Sequence, residues 1–180
     1  MLLRIFIMNT KGHLKEDTLR YIYIGGQIPA FQKYFRKCQE TTFFPLKMFY
    51  KILFKIYKKF YLIDMSVNCQ IDGGLYFGHP YCISINSKAV IGKNVNIHKG
   101  VTIGQENRGI RKGTPTIGNN VWIGINSTIV GKITIGDDVL IAPNAFVNTD
   151  IPSHSIVIGN PCIIKSCENA TKDYINNPVP

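Results

Sequence analysis

His79 stands where a regular repeat of the chain loses its period, in the stretch FGHPYCISIN. Apolar residues recur every six positions on both sides of it, but the step from Phe77 to Ile85 is eight. A histidine near its ordinary pKa can remove a proton from a hydroxyl. His79 is therefore a candidate general base.

The second departure from the period is a polar segment, QENRGIRKGTPT, inside the 14-residue step from Ile103 to Ile117. It carries three cations, Arg108, Arg111 and Lys112. A long polar loop of this kind is typical of an active-site lid, here for an anionic or polar ligand. The alternative is a solvated excursion with no role in chemistry.

The repeat itself predicts the fold. Its leading apolar residues are Met65, Ile71, Phe77, Ile85, Ile91, Ile97, Ile103, Ile117, Ile123, Ile129, Ile135, Ile141 and Val147. A period of six fits neither an α-helix nor an alternating strand, whereas it fits a parallel β-helix in which each hexad is one short strand and one corner. Three hexads close a triangular coil, so we expect a mainly β protein, a β-helix of about four to five coils with a loop excursion at about 105–116.

The N-terminal third is different. Apolar residues three and four apart in AFQKYFRKC and PLKMFYKILFKIYKKFYLI predict two or three helices, the longest beginning after Pro45. The chain is therefore divided into a helical region at 1–62, a β-helix domain at 63–165 and a tail at 166–180. We expect the helices to cover the open end of the β-helix and to support subunit association.

Residues 1–62 carry +9 of the formal net charge of +10. A basic, aromatic helix can also lie on an anionic lipid surface, so peripheral contact with the inner face of the cytoplasmic membrane is the alternative role of this region. No nucleic-acid-binding motif accompanies the charge, and no nucleic acid partner is expected.

The remaining composition favours a cytoplasmic protein without a metal. The five cysteines form no CxxC pair and no zinc-like spacing with the four histidines, which indicates reduced thiols. The apolar run of the opening MLLRIFIMNTKG is too short for a signal peptide.

The hexads, together with GVTIG (100–104), PTIGNNVWIG (115–124) and GNP (159–161), resemble the hexapeptide-repeat acyltransferases over about residues 60–165. The resemblance implies a left-handed β-helix, acetyl-CoA as acyl donor, and a homotrimer with active sites between subunits. Asp64 precedes His79 by fifteen residues. This spacing in the broken hexad is similar to that of the serine acetyltransferase branch, in which the histidine is the general base that deprotonates an alcohol and the aspartate orients it by fixing its tautomer. The maltose and galactoside branch carries its histidine in the loop after the GVTIG-like stretch, and here that loop has none.

The resemblance also implies positions for the two substrates. Those of acetyl-CoA correspond to Gly104, Ile125, Pro143, Asn148 and Lys165. Serine-specific enzymes recognise the amino acid through an aspartate just before the catalytic histidine and an arginine–histidine pair at the end of the long loop. The corresponding positions hold Gly78, Gly113 and Thr114, none of them charged.

A buried carboxylate and ammonium without partners would cost several kcal/mol. We therefore expect the acceptor to be a sugar or polysaccharide precursor, with free L-serine as the alternative. The residues expected to line the acceptor site are Gly78, His98, Arg111, Lys112 and Thr114. Two other classes are disfavoured: a γ-class carbonic anhydrase needs three histidines on zinc, and a non-catalytic trimeric scaffold has no need of the Asp64–His79 spacing.

Overall fold

The computed structural model describes residues 12–180, and the opening segment discussed above lies outside the described residues. Three helices come first: α1 (His13–Tyr23), α2 (Ala30–Glu40) and α3 (Phe44–Phe60). Pro45 lies in the first turn of α3, where a missing N–H leaves no helical hydrogen bond unmade. The prediction of two or three helices is confirmed, and the longest begins at Phe44, two residues earlier than the predicted start after Pro45.

Short strands follow from residue 70 to residue 166. They are β1 (Gln70–Ile71), β2 (Tyr76–Gly78), β3 (Ser84–Ile85), β4 (Val90–Ile91), β5 (Asn96–His98), β6 (Thr102–Gly104), β7 (Thr116–Ile117), β8 (Val121–Ile123), β9 (Thr128–Val130), β10 (Thr134–Ile135), β11 (Val139–Ile141), β12 (Phe146–Val147), β13 (Ser155–Ile158) and β14 (Ile163–Ser166). They form three sheets, ordered β1-β4-β7-β10, β3-β6-β9-β12 and β2-β5-β8-β11-β13-β14. Every pairing is parallel except β13 with β14, so the predicted parallel β-helix is confirmed.

The core consists of columns of stacked aliphatic side chains inside the coils. In the six-stranded sheet Phe77 pairs with Ile97, Ile97 with Ile123, and Ile123 with Ile141. All thirteen leading residues of the hexads are buried, as predicted. Because each strand contributes two to four residues, the apolar area that holds a coil comes mainly from these stacked side chains.

The helices cover the open end of the first coil. Phe31 packs on Phe77, with ring centroids 5.2 Å apart. Arg36, fully buried, pairs with the carboxylate of Asp17 at 2.7 Å and donates to the Ile71 carbonyl at 2.7 Å. The junction between the helices and the first coil is therefore partly apolar and partly a buried polar network.

Helix α3 buries little of its own surface. Phe54 is its one buried residue, and Lys58 ties the helix to the first coil by donating to the Met65 carbonyl at 3.0 Å. The helix exposes large apolar side chains, namely Phe44, Leu46, Met48, Phe49, Ile52, Ile56 and Phe60. Within residues 12–180, none of the helices is long and apolar enough to cross a membrane.

The C-terminal residues return along the six-stranded sheet. Asp138 accepts hydrogen bonds from the backbone N–H groups of Ala170 and Thr171, both at 3.0 Å. Asn94 exchanges two hydrogen bonds of 2.9 Å with the backbone of Val179. The boundary placed at residue 165 falls inside β14, one residue before that strand ends.

Candidate active site

The two surplus residues around His79 form a corner that is fastened to the coils on either side. His79 and Cys82 both adopt left-handed backbone conformations, with φ of 53° and 56°. Tyr81 accepts a hydrogen bond from Gly100 in the next coil at 3.0 Å, and Cys82 donates to the Tyr61 carbonyl at 3.1 Å. The corner therefore holds the backbone of His79 in place while its side chain stays exposed.

Asp64 lies in the coil before His79, paired with Ser84 across a parallel bridge. Its side chain is exposed and lines a groove of about 790 Å³ between α3 and the first coils, together with Lys51, Lys55 and Lys58. Within residues 12–180, no hydrogen bond or ion pair joins Asp64 to His79. The orienting role of Asp64 therefore stays a prediction.

His98 is the second histidine of the site, and the structure fixes its protonation pattern. Its Nδ1 lies 3.0 Å from the Ile123 carbonyl, which can only accept, so the proton is on Nδ1 and Nε2 is left as an acceptor. Burial lowers the pKa of His98, and the nearby His79 lowers that pKa further. Both effects favour the neutral form of the His98 ring, in which Nε2 is the acceptor.

The position of His98 explains why residue 78 is a glycine. The two residues pair across β2 and β5, and a Cβ added at Gly78 would lie 2.4 Å from Cδ2 of the His98 ring. No larger residue fits there unless the imidazole moves. The place of the aspartate that precedes the histidine in serine-specific enzymes is therefore occupied by a neutral ring from the next coil.

The predicted cofactor residues divide into three groups. Ile125 and Pro143 lie at the same corner of the coil as His79, two and three coils further along, and Asn144 donates to the Ile125 carbonyl at 2.9 Å. Gly104 is the last residue of β6 and pairs with Val130 of β9. Asn148 directly follows β12, which pairs with β9.

Lys165 stands apart from these. Lys165 lies on β14, the outermost strand of the six-stranded sheet, where it pairs with Ile156 of β13. Its side chain is exposed. The structure therefore brings together a continuous surface from His79 past Ile125 and Pro143, with Gly104 and Asn148 on the neighbouring sheet, and leaves Lys165 outside it.

The long loop does not have the free form expected of a lid. Glu106 and Gly113 exchange two backbone hydrogen bonds of 2.9 Å, which makes the loop a small hairpin. Lys132 donates to the Arg111 carbonyl at 2.8 Å, so the hairpin is fastened to the next coil. Thr114 donates to the Lys88 carbonyl at 3.1 Å.

The loop and His79 occupy different corners of the coil. His79 lies between β2 and β3, whereas the hairpin lies between β6 and β7. Among the described residues, no hydrogen bond or ion pair connects the loop with His79. One chain alone therefore does not bring Arg111, Lys112 and Thr114 to the histidine.

Trp122 was not expected to be part of the site. Its ring lies 4.6 Å from the His98 ring, and Asn96 and Trp122 pair across β5 and β8. The strand spacing could have shown that His98 lies beside Gly78 in the sheet, because the coil that contains the surplus around His79 is twenty residues long.

Comparisons with known proteins agree with this fold. Residues 114–149 match the family model described as bacterial transferase hexapeptide (six repeats). The chain is 36% identical over 98 residues to a serine acetyltransferase of Helicobacter pylori, covering 54% of this chain and 57% of that protein. The chain therefore spans little more than half the length of this curated relative.

Two solved structures are similar. The serine acetyltransferase of Neisseria gonorrhoeae in complex with serine has a TM-score of 0.60 and 28% identity, over 76% of this chain and 54% of that one. The serine acetyltransferase of Brucella abortus in complex with coenzyme A has a TM-score of 0.66 and 25% identity, over 76% and 55%.

These relatives correct the expected acceptor. The prediction of a sugar or polysaccharide precursor is wrong, because the similar proteins are serine acetyltransferases. The prediction rested on the lack of charge at Gly78, Gly113 and Thr114. The structure shows why that argument is weak at the first position: the His98 ring, itself a hydrogen-bond acceptor, fills the space beside Gly78.

Proposed function

We propose that the chain transfers the acetyl group of acetyl-CoA to the hydroxyl of L-serine, because residues 114–149 match the hexapeptide transferase family model and the chain is similar to serine acetyltransferases. The observation that carries the proposal is the position of His79: an exposed histidine at a fixed corner, continuous with Ile125 and Pro143 along the same edge. Serine binding by the Neisseria enzyme and coenzyme A binding by the Brucella enzyme support the two substrates.

In the proposed reaction His79 takes the proton of the serine hydroxyl as the oxygen attacks the thioester carbonyl. The C–S bond then breaks, and the proton passes to the sulfur of coenzyme A. Asp64 is proposed to orient His79 and to stabilise its charged form, as a carboxylate does in other histidine-based catalysts. General-base assistance of this kind is worth about 10²- to 10⁴-fold in rate.

His98 is proposed to replace the missing aspartate in recognising the amino acid. Its Nδ1–H is held by Ile123, so Nε2 presents a lone pair beside Gly78 that can accept from the serine ammonium. Substitution of His98 by phenylalanine keeps a ring of similar size and removes the acceptor. We expect this variant to raise KM for serine and to change KM for acetyl-CoA little.

We further propose that the active site is completed by a second copy of the chain in a homotrimer. The hairpin of one copy, with Arg111 and Lys112, would reach His79 of the next, and these cations would bind the serine carboxylate. The support is the placement of the hairpin and His79 at different corners of one chain. Heterologous contact between different surface patches is also how a closed ring forms.

The test of acetyl transfer is release of free thiol from acetyl-CoA in the presence of L-serine. We expect the His79→Ala variant to lose about 10²- to 10⁴-fold in kcat, and the matched His13→Ala variant, altered on the exposed surface of α1, to keep its activity. Absence of serine-dependent thiol release by the unmodified protein, or full activity of the His79→Ala variant, would overturn the proposal.

The subunit arrangement is tested by mixing. The His79→Ala chain and a chain with Arg111→Ala and Lys112→Ala are each expected to be inactive. When they are unfolded and refolded together, about a quarter of the interfaces combine an intact histidine with an intact hairpin, so activity should return to that level. Two inactive, folded variants that give no activity when mixed would contradict a shared site.

We also propose that the reaction takes place in the cytoplasm, where acetyl-CoA is available. All five cysteines are free thiols, as expected of a protein in a reducing compartment.

A further inference from the structure

The imidazole of His98 has three close neighbours in the chain. Its Nδ1–H donates to the Ile123 carbonyl at 3.0 Å, and a Cβ added at Gly78 would lie 2.4 Å from its Cδ2. The third neighbour is the indole of Trp122, whose ring centroid lies 4.6 Å from that of the imidazole at an interplanar angle of 47°. Turning the imidazole would therefore break the hydrogen bond to Ile123 and displace the indole.

Trp122 is in turn packed against the C-terminal tail. The Tyr174 ring meets it edge-on, with ring centroids 5.1 Å apart and an interplanar angle of 67°. The backbone of Tyr174 is fixed to the sheet, because its carbonyl accepts from the side chain of Asn96 at 3.2 Å, and Asn96 pairs with Trp122 across β5 and β8. The indole therefore contacts both the imidazole and the tail.

The tail is fastened to the β-helix on both sides of Tyr174. Before it, Thr171 donates to Asp138 from its backbone N–H at 3.0 Å and from its hydroxyl at 2.7 Å. After it, Asn94 and the backbone of Val179 exchange two hydrogen bonds of 2.9 Å. The side chain of Tyr174 is half exposed, so its place against Trp122 is set by these two anchors more than by its own burial.

We propose that Trp122 is a positioning residue for the acceptor. Its ring, packed against Tyr174, keeps the imidazole of His98 in the orientation in which Nε2 faces the substrate ammonium beside Gly78. The proposal rests on the role proposed above for His98 in binding L-serine. Trp122 acts through His98, because an acceptor that is already held in place loses less freedom when the substrate binds than a mobile one does.

Steady-state kinetics with L-serine and acetyl-CoA measure the effect. Trp122→Leu removes the ring and should raise KM for serine by about tenfold, which corresponds to one lost hydrogen bond, with little change in KM for acetyl-CoA. Trp122→Phe keeps an aromatic ring at the same place and should recover most of the affinity. Leu140→Ala is the matched control: Leu140 is buried and pairs with Trp122 across β8 and β11, so its truncation should lower stability and leave KM for serine unchanged.

A double variant separates positioning from a general structural effect. In the His98→Phe background the ring beside Trp122 accepts no hydrogen bond, so Trp122→Leu should raise KM for serine little further. An equal increase in both backgrounds would overturn the proposal, because Trp122 would then act on serine without His98. An unchanged KM for serine in a folded Trp122→Leu variant would overturn it as well.

Fluorescence tests the contact between the two rings without any activity, since Trp122 is the single tryptophan of the chain. A protonated imidazole in contact with an indole quenches its emission. Burial lowers the pKa of His98, so emission should fall on acidification with a midpoint below about pH 6.5, and it should not fall in His98→Phe. Tyr174→Ala should reduce the size of this step, because the indole is then less firmly held.

Other ionisable side chains lie close to the two rings. Arg20 and Tyr76 line the same small space, and arginine and tyrosine keep their charge state between about pH 5 and 7.5. His79 lies near His98, so the titration is repeated in the His79→Ala background, where the step should remain.

The two measurements can fail separately. If the unmodified protein releases no thiol with L-serine, the proposed function fails, and the fluorescence still decides whether Trp122 holds His98. A pH step of unchanged size in His98→Phe, or no step at all in protein that circular dichroism shows to be folded, would overturn the positioning of His98 by Trp122.

Discussion

The coils and the helices of this protein are held in place by different forces. Inside the β-helix, columns such as Phe77, Ile97, Ile123 and Ile141 repeat one apolar contact from coil to coil. The helices are joined to the first coil by apolar contacts such as Phe31 with Phe77 and, in addition, by a network of buried polar groups with Arg36 at its centre. Apolar columns tolerate small changes at any one level, whereas a buried charge network depends on every member. The comparison predicts that single substitutions act very differently in the two regions.

The largest effect is expected when the polar junction is broken. Asp17→Ala leaves Arg36 buried without a counter-charge and also removes the acceptors used by Gln32 and by the Leu75 N–H. Removal of one partner of a buried ion pair costs about 3–5 kcal/mol. Thermal unfolding followed by circular dichroism should show a fall in Tm of about 2–4 °C for each kcal/mol.

The matched control replaces both partners with apolar residues, as Asp17→Leu together with Arg36→Met. This variant removes the uncompensated charge and should recover part of the lost stability. A double variant less stable than Asp17→Ala alone would mean that the network contributes through its hydrogen bonds to Ile71 and Asp72 more than through the ion pair.

A graded response is expected in the columns. Ile103 is fully buried between Ile85 and Ile129. Ile103→Ala should cost about 2–5 kcal/mol in the free energy of unfolding, and Ile103→Val only about 0.5–1.5 kcal/mol. Urea unfolding measures both. Equal losses for the two substitutions would show that the column does not respond to volume and would contradict the comparison.

The same difference decides how much could be predicted from sequence. The columns could be predicted in full, because a period of six recurs in the sequence and each leading residue repeats one local geometry. The polar junction could not be predicted, since Asp17 and Arg36 lie on different helices. Their contact depends on tertiary packing, which leaves no periodic pattern in the sequence. For the site, His79 lies in the corner that carries the two surplus residues, and its catalytic role stays a prediction. The packing of His98 over Gly78 was missed, although the coil length of twenty residues implied it.

Helix α3 exposes large apolar side chains together with lysines, and Lys51 and Lys55 among them line the groove beside Asp64. Contact of this helix with an anionic membrane stays a prediction. Near such a surface each lysine contributes about 1 kcal/mol. In sedimentation with vesicles that contain phosphatidylserine, the triple variant Lys47→Gln, Lys51→Gln and Lys55→Gln should bind more weakly than the unmodified protein, and the difference should shrink at high salt.

The control for α3 changes three lysines outside it, Lys33→Gln, Lys93→Gln and Lys132→Gln, which removes the same charge. Equal vesicle binding by the two triple variants would assign the effect to net charge alone and would remove α3 as a specific docking helix.

The smallest effect on stability is expected for a substitution of His98, a polar residue of the site that lies next to the apolar columns. Burial lowers its pKa, while in the unfolded chain the pKa stays near the ordinary value of about 6.5. As pH falls below that value, the unfolded chain takes up a proton before the folded protein does, so stability present above about pH 6.5 is lost on acidification. His98→Gln has no such proton, and its Tm should therefore fall less between pH 7.5 and pH 5, by about one or two degrees. His79 lies near His98, so the same comparison is repeated in the His79→Ala background. Parallel pH profiles in both backgrounds would show that the His98 ring is not held in its neutral form.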